Sequence, residues 1–174
     1  MLRCALQLNN ADEVDNAASD LLSESRITAE HRDEALISKA RMSYNAQMHQ
    51  TALERYAMLL NSANGEYSGE AAYRRAEIYY ITEQVSLAEK EINNYVGVSS
   101  SDYWLAKTFI LWADIYYNVY HNNLQAKQTL QSIIDNYDGE ELVDIALKKR
   151  NEIIESEAAE QKPEEPEMII DINE

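Results

Sequence analysis

Apolar and small residues return along this chain at spacings of three and four, the period of an amphipathic helix, and the stripes themselves recur at a fixed distance. Ala40, Ala76 and Ala113 form one series with steps of 36 and 37 residues. Ala52, Ala88 and Ala126 form a second, with steps of 36 and 38, and Tyr44, Tyr80 and Tyr117 a third, with steps of 36 and 37. Counting back 35 residues from Ala40 and Ala52 lands on Ala5 and Ala17, so an incomplete unit precedes the first full one. Self-similarity at such a period is the signature of a helical solenoid, whose extended surface suits binding better than catalysis.

The stripes predict the elements. Val14, Ala17, Ala18, Leu21 and Leu22 mark a helix over Val14–Ser25, the second of the partial unit. Thr28 is placed to cap a helix carrying Ala35, Leu36, Ala40 and Tyr44, and its partner begins near His49. Asn64-Gly65 reads as a break, with the next helix starting at Ser68 and carrying Tyr73, Ala76, Tyr79 and Tyr80. Leu87, Ala88, Ile92 and Tyr95 continue its partner, which ends at Gly97 and the Ser99–Ser101 cluster. Trp104, Phe109, Trp112, Ala113 and Tyr116 build the third unit's first helix; Ala126, Leu130, Ile133 and Ile134 answer from its second. A last helix over Glu141–Glu155 has one apolar face and is charged elsewhere, with Lys148-Lys-Arg150 suiting a final turn. The chain thus divides into a partial repeat 1–27, repeats at about 28–65, 66–100 and 101–138, a capping helix 139–155 and a tail 156–174.

Composition narrows the function classes. Both prolines, Pro163 and Pro166, fall in the tail, and a body without proline favours long helices. The net charge of −16 opposes nucleic acid, which demands a Lys/Arg surface, and opposes anionic lipid. Residues 155–174 supply −7 of it, the composition of a disordered acidic tail, broken only by the apolar stretch Met168-Ile-Ile-Asp-Ile172. Cys4 is a lone cysteine. No stretch has the length of a membrane span and no signal-peptide pattern opens the chain, which begins inside a repeat, as a piece of a longer array would.

Chemistry-bearing motifs are missing. His31, His49 and His121 lie near helix ends in different units, without HExxH, CxxC or paired-histidine spacing, and no GxSxG elbow or glycine-rich phosphate loop occurs. The reading is therefore no catalytic residue, no metal and no cofactor.

In its helix pairs, with one small residue late in the first helix and another early in the second, the chain resembles the tetratricopeptide repeat (TPR) family. Ala40, Ala76 and Ala113 hold the first small position, and Ala52, Ala88 and Ala126 the second. Tyr79 and Tyr116 match the family's large residue three places after the first, where Ser43 departs; Tyr56, Ile92 and Leu130 match the one four places after the second. Lys39 and Arg75 stand where leucine is usual, with only Trp112 apolar, and the family's inter-repeat proline is absent. The resemblance implies an all-α, right-handed solenoid of antiparallel helix pairs with a C-terminal capping helix.

It also implies a concave groove lined by the first helices. In the repeat register its residues are Arg41 and Tyr44, Glu77 and Tyr80, Asp114 and Tyr117, with Tyr73 further back. Tyrosine offers apolar area and a hydroxyl at low entropic cost, as peptide recognition requires. One residue of each pair Tyr79-Tyr80 and Tyr116-Tyr117 packs in the core instead, and the tyrosine series is open to that reading as well. Arg41, Glu77 and Asp114 occupy the places of the Lys/Asn clamp by which one TPR subtype holds terminal carboxylates, so a basic or neutral segment is the expected ligand. The function implied is a protein–protein interaction scaffold, with two alternatives: a regulatory or sensor arm of a larger protein, or self-association through the N-terminal half-repeat. The likeness to bacterial envelope TPR scaffolds places the chain in the periplasm if a leader precedes it and in the cytoplasm otherwise. Met168–Ile172 is a candidate linear motif for a groove, its own or a neighbour's.

Overall fold

A computed structural model describes residues 11–160, which form eight helices and no strand. They are α1 (Ala11–Ser23), α2 (Ala29–Asn45), α3 (His49–Ala57), α4 (Gly65–Ile81), α5 (Val85–Val96), α6 (Asp102–Asn118), α7 (Asn123–Asn136) and α8 (Glu140–Glu160). Four starts are fixed by side chains that accept an otherwise orphaned backbone N–H: Thr28 from His31, Asn64 from Glu66, Ser101 from Trp104 and Asn122 from Gln125.

The turns inside the helix pairs repeat in detail. At the end of α2 the Gln47 N–H donates to Tyr44 O and the Met48 N–H to Ser43 O, at 2.9 Å each, with Gln47 left-handed at φ 57°. At the end of α4, Glu83 (φ 61°) donates to Tyr80 O and Gln84 to Tyr79 O. Both are Schellman closures, in which one left-handed residue lets two N–H groups reach back to the last carbonyls. In the third pair His121 is the left-handed residue, and Asn122 reaches one residue further, to Tyr116 O. That extra residue accounts for the third pair's longer spacing between its two alanines.

All six series alanines are at most 1% exposed. The two alanines of each pair share one buried cluster, where a larger side chain would have to displace packed neighbours. The buried apolar residues form four clusters in succession: α1 with α2, α2 to α4, α4 to α6, and α6 to α8. Each helix packs on its neighbours in sequence, and α2, α4, α6 and α8 also touch one another in series.

Several boundaries differ from the sequence reading. Asn64-Gly65 stands at the border between two helix pairs, but the next helix starts there and not at Ser68: Asn64 caps α4, and Gly65 is its first residue. The capping helix runs to Glu160, so the first five tail residues are helical, and Lys148–Arg150 fall mid-helix with no base in the last turn. Neither member of Tyr79-Tyr80 or Tyr116-Tyr117 is fully buried, because Ile78 and Ile115, both 0% exposed, take the core positions beside them. Residues 1–10, where the sequence predicts the first helix of the partial unit, and residues 161–174, including Met168–Ile172, lie outside the described residues.

Candidate functional site

The seven sequence-derived groove residues lie on α2, α4 and α6, and three of them, Tyr44, Tyr73 and Glu77, are tied to one another. The Arg41 guanidinium donates through Nε and Nη2 to the Glu70 carboxylate of α4, which is buried. Tyr44 donates its hydroxyl to Glu77 Oε2 at 2.7 Å, across the same helix step. Tyr73 donates to the other oxygen, Glu77 Oε1, at 2.8 Å, and Arg74 pairs with Oε2 at 2.7 Å. Tyr80 accepts from the Asn118 amide of α6 at 3.2 Å, and Asp114 of α6 pairs with Lys149 of α8 at 2.7 Å. Tyr117 packs with the α6–α8 cluster and borders a cavity of about 160 Å³ with Asp114, Lys149 and Glu152.

Glu77 and Asp114 are thus neutralised within the chain and do not supply the free negative charge on which the expectation of a basic ligand rested. Glu77 is the hub. Three donors converge on it, and the Arg74 guanidinium also lies 4.4 Å from the centre of the Tyr44 ring. Burial, followed by the hydrogen bond to Glu77, pushes the Tyr44 phenol up. Burial pushes Tyr73 up still further. Burial works against the Arg74 charge, but Glu77 outweighs it and leaves that pKa raised.

One element of the face escaped the sequence reading. Lys107 Nζ stands 4.8 Å from the Tyr73 ring centre, 5.7 Å from Trp104 and 6.0 Å from Tyr103. Tyr103 meets Trp104 edge-on at 5.0 Å, and Tyr73 tilts against it at 5.6 Å. Lys107 makes no hydrogen bond or ion pair with any described residue, whereas Arg41, Arg74 and Lys149 on the same face are each paired. Burial first, and then the nearby Arg74 charge, pull its ammonium below the ordinary lysine value, against Glu77, Glu141 and Glu70. A half-buried cation of this kind gains from a carboxylate or carbonyl brought to it. The signal was in the repeat register: Lys107 stands six residues before its alanine, where the earlier units have Glu34 and Glu70.

The cluster can form because Gly69 of α4 admits it. A Cβ at Gly69 would come within 2.7 Å of the Tyr95 hydroxyl and 2.8 Å of Trp104 Cβ. Without that methyl, α6 settles close on α4 and Trp104 seats at 8% exposure between them.

Among the described residues no three His, Cys, Asp or Glu side chains converge as metal ligands, and no helix is long and apolar enough to cross a membrane. Comparison with protein-family models, curated proteins and solved structures finds no match to this chain.

Proposed function

We propose that the chain is a TPR-like solenoid, a degenerate member of that family, and acts as a protein–protein interaction module. In this reading it binds an extended partner segment along the face where α2, α4, α6 and α8 meet. The observation that carries it is Lys107, a cation set among three aromatic rings with no partner among the described residues. The paired residues around it form a stiff polar floor, since the Arg41–Glu70, Tyr44–Glu77 and Asp114–Lys149 contacts each join neighbouring helices. Lys107 and its rings are the anchor, taking a carboxylate or carbonyl flanked by apolar side chains. The solenoid reading draws on the recurring turns, the six buried alanines and helix packing confined to near neighbours.

The test is selection of a random dodecapeptide phage library on the full chain, with the winning peptides titrated against the chain and against Lys107→Gln. Enrichment of peptides with an acid beside aliphatic residues, and loss of affinity of about tenfold in the variant at unchanged helicity, is the expected result. Peptides that bind both proteins equally place recognition elsewhere and remove Lys107 as the anchor.

A further inference from the structure

In the groove reading Lys107 is a docking charge, and the same surroundings give its amine a chemistry of its own. We infer that Lys107 is an acylation site: its Nζ attacks the carbonyl carbon of a thioester acyl donor, and the resulting amide closes the groove to acidic peptides. The reactivity of the amine requires no ligand, whereas its effect on binding rests on the groove reading.

The lysines among the described residues differ in their surroundings. Lys39, Lys127 and Lys149 each pair with a carboxylate within 2.7 Å, Lys148 meets Glu152 at 4.0 Å, and Lys90 is exposed to water. Lys107 is half-buried and none of the described residues pairs with it. Such an ammonium has given up part of its hydration, and attraction to rings returns less than the charge-assisted hydrogen bonds it lost. Only the Tyr73 ring is close, at 4.8 Å, and Arg74 shares it, with Cζ 5.5 Å from the same centre. A second cation on that ring disfavours the charged form further. The carboxylates whose field reaches Lys107 do not offset this. On α4, Glu70 is held by Arg41, and Glu77 by Tyr44, Tyr73 and Arg74; Glu141 of α8 is exposed and forms no ion pair with Lys107. Burial and then Arg74 accordingly keep the ammonium below the ordinary lysine value. In the reaction the neutral amine forms a C–N bond to the thioester carbonyl, the C–S bond breaks, and the departing thiolate takes the surplus proton from nitrogen. The amide is uncharged, costs less to leave half-buried than an ammonium, and lays its acyl chain against Tyr73, Tyr103 and Trp104.

The test incubates the full chain near neutral pH with the acetyl thioester of N-acetylcysteamine and follows each lysine by mass spectrometry. The expected result is acetylation of Lys107 about three-fold or more faster than of exposed Lys90, a preference that disappears in urea and under saturating phage-selected peptide. The acetylated chain should lose about tenfold in peptide affinity, as Lys107→Gln does, while Lys107→Arg treated in the same way should keep its affinity. A Lys107 rate at or below that of Lys90 would overturn the acylation site, and the groove would stand if Lys107→Gln still weakened binding. A preference that persists in urea would belong to the local sequence and overturn the role of the packed rings. Fast acetylation with peptide affinity unchanged, in the acetylated chain and in Lys107→Gln alike, would remove the groove reading and the closing effect and leave the reactive amine.

Discussion

Replacing Gly69 by alanine sets two effects against each other, and the structure decides which wins. An interior helical Gly→Ala change normally stabilises by about 1 kcal/mol, because alanine loses less backbone freedom. Here the new methyl would meet the Tyr95 hydroxyl at 2.7 Å, Trp104 Cβ at 2.8 Å and Trp104 Cδ1 at 2.9 Å. Trp104 Cβ is fixed to the α6 backbone, so relief requires α6 to move. The Tyr95 hydroxyl donates to Ser101 O, the carbonyl of the residue that caps α6, so relief on that side loses a buried hydrogen bond. Overpacking costs about 1–3 kcal/mol and the hydrogen bond about 1 kcal/mol, leaving a net loss of about 1–3 kcal/mol. For a chain of this length that lowers Tm by about 3–10 °C. Gly97→Ala is the control: Gly97 has ordinary helical dihedrals and nothing within 4 Å of a new Cβ, so it should stabilise by a few tenths of a kcal/mol. The assay is thermal and urea unfolding by circular dichroism. A Gly69→Ala chain at least as stable as the parent would refute the close α4–α6 approach, and with it the seating of Trp104 beneath Lys107.

Other outcomes follow from the same geometry. Gln47→Gly and Glu83→Gly should each stabilise by about 0.5–1 kcal/mol in urea unfolding, since both residues are left-handed and glycine adopts that conformation without a Cβ clash. Glu70→Gln should cost about 1–2 kcal/mol, a value discounted because Arg41 is half exposed, whereas Tyr120→Phe, at an exposed contact with Glu89, should stay within about 0.5 kcal/mol. Burial holds the Tyr95 phenol up at about 12 and pushes Tyr56 and Tyr73 higher still. The folded chain therefore retains protons that the unfolded chain sheds above pH 10, so stability is intact below that pH and declines as pH rises toward 12. Tyrosinate absorbance followed beside circular dichroism should show a late group of phenols ionising together with unfolding; ionisation of every tyrosine before helix loss would contradict their burial.

Much of this architecture was legible because small residues buried between paired helices leave a periodic trace. The six alanines marked the pairs, and Thr28, Gly97 and Ser101 marked ends that the structure keeps. Asn64-Gly65 marked the border but hid the helix start, read at Ser68, because Asn-Gly is a turn signal in isolation, while here Asn64 accepts the Glu66 N–H and caps the helix. Lys148–Arg150 misled because a basic cluster suits a helix end, yet Lys149 is spent mid-helix on Asp114. The site was legible as a face and illegible as chemistry. Register placed Tyr44, Glu77, Asp114 and Tyr117 on the meeting line of the helices, but not the pairing that neutralises the two acids. Glu77 is neutralised by Arg74 three residues before it on the same helix, a local pair the sequence reading passed over, whereas Asp114 pairs with Lys149 35 residues away, where no local rule links the two. The role of Lys107 was hidden for the opposite reason: its significance is that none of the described residues pairs with it, which only the packed neighbours reveal.

The most direct test of the groove uses the chain's two tryptophans, Trp104 and Trp112, as indole N–H reporters in a proton–nitrogen correlation spectrum. Trp104 lies beneath Lys107, whereas Trp112 stacks between Phe109 and Tyr116. On titration with a phage-selected acidic–aliphatic peptide, the account predicts a saturable shift of the Trp104 signal, a still Trp112 signal, and loss of the response in Lys107→Gln. A moving Trp112 signal beside a still Trp104 would contradict the groove and transfer recognition to another face.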